Sequence, residues 1–399
     1  MKNTHLKKEP SLWIITFIVI LPMISESIYI PSLPTLAKAF LTTAEQAERT
    51  LSIYLAGFAI GVFLWGNLSD KYGRKPILIY GFSIYTVSCL GCFLSKSIES
   101  FMIFRALQGI GGAVGSVVGQ AIARDSFEGS RRGVVYSTIG MALAFAPAVG
   151  PLIGGSIVEY VDWKYVFIFL LSCGTLLIFK IYLSFRESIQ EKSKIVFDFS
   201  VIKRIFLDPN IIVFSIIIGT CNGITYSYYS EGAFYFIDML HVSPRYFGRT
   251  FMLIAAAGFL GGYISKYLNQ RKYPAINIIK VGVLTVIISM MINVFIAIIV
   301  PPSLSLTLTS LVFFSFCMAG IGMIIPNAFY LAQENYKSNA GTMSSVMGCL
   351  YYMIISLQTY GMSVFRDGTL SSLPKYLLFL GVIMTIPTTF CFYKKISHS

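Results

Sequence analysis

The chain has 399 residues, of which 55% are hydrophobic and only 12% charged, with a formal net charge of +13. Soluble domains carry about 25% charged residues, so a water-soluble fold is excluded, while the apolar sequence suffices for about twelve spans of ~20 residues. The excess of bases is not a nucleic-acid signal: most Lys and Arg fall in alternate loops between apolar runs, as the positive-inside rule requires of a membrane protein.

In chain order, spans are expected near residues 12–37, 49–69, 76–95, 98–122, 132–157, 163–185, 210–237, 244–267, 274–298, 304–331, 340–364 and 373–393. The first run is longer than a signal-peptide core of about 7–15 residues and carries Glu26, with no small-residue cleavage site after it, so it reads as a retained helix. The longest polar break, Arg186 to Asp208, separates a bundle of six spans (1–185) from a second bundle of six (209–399), with 186–208 as a cytoplasmic central loop. Placing both termini in the cytoplasm puts the bases inside. Within the loop, Phe197–Leu207 flanks Lys203-Arg204 with apolar residues; an amphipathic stretch on the inner leaflet and a plain tether both fit.

The seven cysteines all lie in apolar runs. Cys89-x-x-Cys92 has metal or redox spacing but no second pair or histidine nearby, so packing is the expected role. His5, His241 and His398 form no ligand set. No metal or cofactor is expected. There is no P-loop, no Ser-His-Asp set and no pair of catalytic carboxylates, so neither an enzyme nor an ATP-driven pump is indicated.

Glu26 stands near the middle of the first span, ~21 Å along the helix from Leu12 at 1.5 Å per residue. A carboxylate in hydrocarbon is costly and should face a cavity or a partner, which makes it a candidate for binding and releasing a proton. Arg105 lies ~10 Å into the fourth span from its other edge, at a similar depth in a core of ~30 Å. An ion pair or shared proton site with Glu26 is expected if the two spans are neighbours. Glu231 sits toward the end of the seventh span among Tyr226, Tyr228, Tyr229 and Tyr235. Aromatic faces beside a carboxylate suit an organic cation; an interfacial tyrosine belt is the alternative. Tyr29, Asn222, Tyr351 and Gln358 complete the substrate-binding candidates.

The short connection Gly66-Asn67-Leu68-Ser69-Asp70-Lys71-Tyr72-Gly73-Arg74-Lys75 crowds acid, bases and glycines between two spans and meets every specified position of G-x-L-S/A-D-R/K-x-G-R-R/K. Arg105 opens a segment, through Ala113, that fits R-x-x-Q-G-x-G-x-A, and Gly109, Gly111 and Gly115 in it favour close helix packing. Gly150-Pro151-Leu152-Ile153-Gly154-Gly155, with Pro147 upstream, is similar to G-P-x-x-G-G, although Ser137 and Ala146 replace glycines of the longer pattern. Through these three motifs the chain resembles the major facilitator superfamily. Ile28-Tyr29-Ile30-Pro31-Ser32-Leu33-Pro34 further resembles the M-Y-L-P-A-L-P element of the bicyclomycin-resistance (Bcr/CflA) subgroup of drug:proton antiporters. Ser27 replaces the acid usual there, and Glu26 lies one residue earlier, ~100° around the helix.

The resemblance implies an all-α membrane protein of twelve helices in two pseudo-symmetric six-helix bundles, with a proton-transfer role for Arg105. It implies proton-coupled export of small organic compounds, multidrug efflux by alternating access, from a bacterial inner membrane. The partners would be a small-molecule substrate, protons and the bilayer, with no nucleic acid, and a monomer suffices. In the loop motif, Gly66, Asp70, Gly73, Arg74 and Lys75 would form a conformational switch. Asp70 would meet the positive N-terminus of the eleventh span near Ser338–Thr342, and Arg74 would reinforce this with a carboxylate. A faint echo of the motif, Gly262, Ser265-Lys266 and Arg271-Lys272, stands at the matching place in the second half. A dedicated metabolite or siderophore carrier, and a non-transporting receptor or scaffold, remain alternatives.

Overall fold

A computed structural model describes residues 10–127, 129–189, 199–333, 336 and 340–389, and every regular element among them is helical. Among the described residues, ten helical stretches are long and apolar enough to cross a membrane. The first comprises α1 (Leu12–Ser27) and α2 (Leu33–Ala39). The others are α3 (Ala44–Tyr72), α4 (Arg74–Leu94), α5 (Ile98–Ser126), α6 (Gly129–Tyr160), α7 (Tyr165–Ser184), α9 (Pro209–Ala233) with the turn that extends it, α10 (Pro244–Gln270), α11 (Ala275–Ile299) and α12 (Leu304–Gln333). A short helix, α8 (Phe199–Phe206), precedes α9, and α13 (Ala340–Phe365) and α14 (Ser372–Ile383) close the described chain. Helices satisfy their own backbone polar groups, as hydrocarbon demands.

Two expected boundaries are corrected. The run 12–37 is one span that extends to Ala39, but a tight turn at Ile30–Ser32 interrupts its α-helix, because Pro31 and Pro34 lack N–H donors and crowd the preceding turn. The second helix starts at Ala44 rather than residue 49. Thr43 Oγ1 accepts from Gln46 N at 3.2 Å and Glu45 lies in the first turn, both favourable at a helix N-terminus. The earlier start places Glu48 inside a helix.

α3 packs on α5 and, across the chain, on α13; α6 packs on α1 and, across the chain, on α10. These two seams join early helices to late ones. Close approach depends on missing side chains. A Cβ added to Gly154 would lie 1.7 Å from Ile28 O, whereas one added to Gly140, in the same helix, meets nothing within 4 Å. Gly154→Ala is therefore expected to cost about 1–3 kcal/mol by forcing α6 off α1. Gly140→Ala should be neutral or stabilising by up to about 1 kcal/mol. Thermal unfolding of the two variants in detergent reads the contrast.

The amphipathic stretch is helical where described. In α8, Ile205 is buried while Lys203 and Arg204 are exposed, and the helix packs on α13. Phe197 and Asp198 lie outside the described residues. The bundle has a signature end, which carries Gly66–Lys75, and an opposite, far end.

Candidate functional site

Glu26 is buried at the C-terminal turn of α1. Its Oε2 accepts a hydrogen bond from Tyr226 Oη of α9, 200 residues away in sequence, and Oε1 has no hydrogen-bond partner. Tyr54 of α3, Tyr229 of α9, and Tyr351 and Tyr352 of α13 all lie within electrostatic reach of the carboxyl. One acid from the first helix thus sits inside a ring of tyrosines drawn from three others, two of them late in the chain.

The expected ion pair is not formed. α1 and α5 are neighbours, and Arg105 is fully buried, but among the described residues no ion pair joins it to Glu26. Its guanidinium lies 4.0 Å from the Tyr29 ring centroid and 4.2 Å from that of Tyr54, and Nη1 donates to Gln108 Oε1. Cation–π contacts are strongest where water is absent, and two rings sandwich the charge here. Arg105 lies within electrostatic reach of Glu26 and Tyr54 borders both groups, so the two interact through space and through a shared tyrosine, without an ion-pair contact. Gln108 Nε2 in turn donates to Cys89 Sγ at 3.0 Å, which gives that cysteine a packing contact.

The substrate-binding candidates divide. Tyr29 and Tyr351 lie in or beside the tyrosine ring, Tyr29 on Arg105 and with its Oη 3.3 Å from Thr50 Oγ1. Gln358 Nε2 donates to Thr220 Oγ1 at 3.0 Å, bridging α13 to α9, and Asn222 Nδ2 returns to Ile218 O of its own helix at 2.9 Å. Tyr228 packs among Phe236, Phe251 and Phe314 as part of the aromatic core. Glu231 belongs to a different cluster at the far end. It is fully buried, and Arg366, at the C-terminal end of α13, pairs with it and with Glu48 of α3.

Sequence reading missed Tyr226 as a partner for Glu26, and it missed Glu48 and Arg366. A usable signal existed for Glu48. It continues the buried positions Ser52, Leu55, Ala59 and Val62 back at helical spacing. Other contacts bring early and late segments together at the same end. Lys38 Nζ meets Asp238 Oδ1 at 3.1 Å, Ser356 Oγ donates to Ser52 O at 2.7 Å, and Arg245 N donates to Glu159 Oε2 at 3.0 Å.

At the signature end, Arg74 is buried and its guanidinium gathers three acceptors: Asp70 Oδ1 at 2.6 Å, Ser69 Oγ at 2.5 Å and Asp125 Oδ2 at 3.1 Å. The backbone N–H groups of Arg74 and Lys75 donate to Glu187 at 2.9 and 3.1 Å, so a carboxylate sits on the positive end of α4. Lys75 Nζ donates to Tyr182 O at 2.8 Å. Gly73 holds φ at 108°, and a Cβ there would lie 2.5 Å from Glu187 Oε2. A Cβ on Gly66 would lie 3.0 Å from Ser345 Oγ of α13, so that glycine lines the cross-chain seam.

Asp70 is thus engaged by Arg74. Of the segment Ser338–Thr342 expected to receive it, Ser338 and Asn339 lie outside the described residues and Ala340–Thr342 open α13. In the echo segment, Ser265 Oγ accepts from Asn327 Nδ2 at 2.7 Å beside a cavity of about 530 Å³ lined by Asn269, Tyr273, Asn327 and Tyr330. This cavity contains none of the substrate-binding candidates.

Arg74→Ala strips hydrogen bonds from two partly exposed aspartates. It is expected to cost about 1.5–3 kcal/mol, the range for bonds to charged groups. Arg74→Lys should recover only part, since it keeps the charge but not the planar fork. Unfolding curves of both variants, read beside their transport rates, test this.

Comparison with known proteins places the chain. The model of the Major Facilitator Superfamily matches residues 15–359. An "uncharacterized transporter" of Rickettsia bellii is 33% identical, covering 96% of this chain and 95% of its own. A "bicyclomycin resistance protein homolog" of Haemophilus influenzae is 27% identical over 84% of each. In fold, the chain is similar to a bacterial homolog of the human lysosomal transporter Spinster, solved inward-facing and unoccupied, with a TM-score of 0.72 at 16% identity over 95% of both chains. The chain belongs to the Major Facilitator Superfamily and is a multi-pass membrane transporter.

Proposed function

We propose that this transporter exports small organic compounds across a bacterial inner membrane in exchange for protons. It would do so by alternating access between two six-helix halves, residues 1–185 and 209–399, joined by the loop 186–208, with both termini cytoplasmic. The observation that carries this reading is the Glu26–Tyr226 hydrogen bond. It joins an ionisable carboxyl to a late helix, and that carboxyl would lie in the membrane interior where the two halves meet. A proton arriving there changes a contact that rocking of the halves must make and break. Each proton moving inward releases ~2.3 kcal/mol per 100 mV, which can drive export. The tyrosines around Glu26 offer ring faces to a flat or cationic substrate, with the carboxyl as counter-charge. The resistance function named for the Haemophilus relative points the same way.

A second reading is carriage of one anionic metabolite. Arg105 favours it: a buried guanidinium held between Tyr29 and Tyr54, with Nε and Nη2 free of hydrogen bonds, is a ready partner for a carboxylate.

The protein in liposomes with an internal pH dye decides between them. Proton movement triggered by several unrelated cationic or neutral drugs supports drug:proton antiport. A response to a single carboxylate metabolite or siderophore overturns it in favour of the dedicated carrier. Flux of any substrate without proton movement overturns the coupling.

A further inference from the structure

The far end holds a cluster that transport by way of Glu26 does not use. Glu48 of α3, Glu231 of α9 and Arg366 at the end of α13 meet there, so one early helix is tied to two late ones. Both carboxyls are fully buried. Arg366 Nη1 lies 3.3 Å from Glu48 Oε1, and Arg366 Nε lies 3.6 Å from Glu231 Oε2. The two acids are also close enough to interact directly. Glu48 Oε2 and both oxygens of Glu231 have no hydrogen-bond partner.

Two carboxylates face one guanidinium in a dry site. If both were ionised, the cluster would carry a net negative charge with unpaired buried oxygens, an arrangement that low-dielectric surroundings penalise. One proton between the acids balances the charge, supplies a donor for an orphaned oxygen and leaves a single carboxylate for Arg366.

Other charges near this end are already engaged. Arg49 of α3 pairs with Glu45 and lies over the Tyr360 ring, and Lys38 following the first turn pairs with Asp238. Asp367, beside Arg366, is only slightly buried, and hydrogen bonds from Thr369 with the nearby Lys375 hold its carboxyl below the usual range. It stays ionised and adds to the case against a second full negative charge.

We propose that Glu48 and Glu231 share one proton against Arg366, forming a second proton-binding site that holds the two halves together at the far end. When this end opens, water reaches both acids and both ionise at neutral pH. The closed state therefore binds one more proton than the open state, so acid favours closure and alkali favours opening. The inference rests on the proton-antiport reading, to which it adds a proton site that controls access rather than substrate exchange.

The test is a distance measurement that needs no substrate. Spin labels on Leu41→Cys and His241→Cys, in a background lacking the native cysteines, flank the Lys38–Asp238 contact from the two halves. In lipid nanodiscs, the ratio of short to long distances should fall by up to about tenfold per pH unit across the transition, the slope for one proton. Glu48→Gln and Glu231→Gln should each flatten this slope and keep the short distance at all pH values. Arg366→Lys should retain the slope, and Glu26→Gln should keep the part of it that Glu48→Gln and Glu231→Gln remove. An unaltered slope in both Glu48→Gln and Glu231→Gln overturns the inference, whatever the transport assays show.

If neither variant is stable, difference infrared spectra of Glu26→Gln, which keeps both acids of the cluster, decide. A protonated-carboxyl band that titrates with the distance change in Glu26→Gln supports the site, and none doing so refutes it. Failure of proton coupling in liposomes with a normal distance titration would overturn the antiport reading and leave the site standing.

Discussion

Glu26→Gln is expected to leave the transporter folded and to reduce substrate-driven proton movement at least tenfold. The amide keeps an oxygen acceptor for Tyr226 Oη, so the contact between α1 and α9 survives. It cannot take up a proton in the working range, so the chemical event proposed to drive the cycle is removed while the geometry stays. Loss of an ionisable group from a buried position should not lower thermal stability, because no charge is stranded. Glu26→Asp gives the complementary result. It keeps the proton site but shortens the side chain by one methylene, which pulls the carboxyl from Tyr226, so coupling should persist at reduced rate. Liposome pH-dye traces and unfolding curves on the same preparations read both effects. A Gln variant that moves protons normally would place the coupling elsewhere, and the Glu48–Glu231 cluster would be the next place to look.

The sequence revealed single residues well and pairings poorly, for a physical reason. Glu26, Arg105 and Glu231 stand out because a charge inside an apolar run needs no partner to be conspicuous. Arg74 and Gly73 stand out because a turn this short has few solutions, and both are engaged in the signature-end network. Helix existence followed from hydropathy, but the break at Ile30–Ser32 shows that two prolines override an apolar pattern. What stayed hidden was contact between helices far apart in the chain. Depth pairs Glu26 with Arg105, yet depth leaves rotation around the helix undetermined. Arg105 turns onto Tyr29 and Tyr54, and the acid turns onto Tyr226. Glu48 and Arg366 lie just outside the expected spans 49–69 and 340–364, because hydropathy blurs helix ends by several residues. Capping by Thr43 supplied the missing turn.

Arg366→Ala is expected to be the most destabilising single truncation of a charged side chain at the far end. Arg366 is itself mostly buried, and it is the cation within ion-pair distance of both Glu48 and Glu231. Its removal strands those acids between α3, α9 and α13. Breaking a buried pair in this way costs about 3–5 kcal/mol, far more than the pair contributes relative to apolar replacements, because the remaining charge keeps its desolvation penalty. The same logic predicts rescue. In the Arg366→Ala background, Glu48→Gln and Glu231→Gln together remove the stranded charge and should recover more than half of the loss, although neither restores the cation. Arg49, by contrast, pairs with Glu45 within one helix and is partly exposed, so Arg49→Ala should cost under about 1 kcal/mol. Thermal unfolding in detergent across this set separates a stranded-charge mechanism from simple loss of a contact. Recovery on removing the acids requires the former, while an additive further loss would mean that the three side chains act independently and that no shared proton holds them.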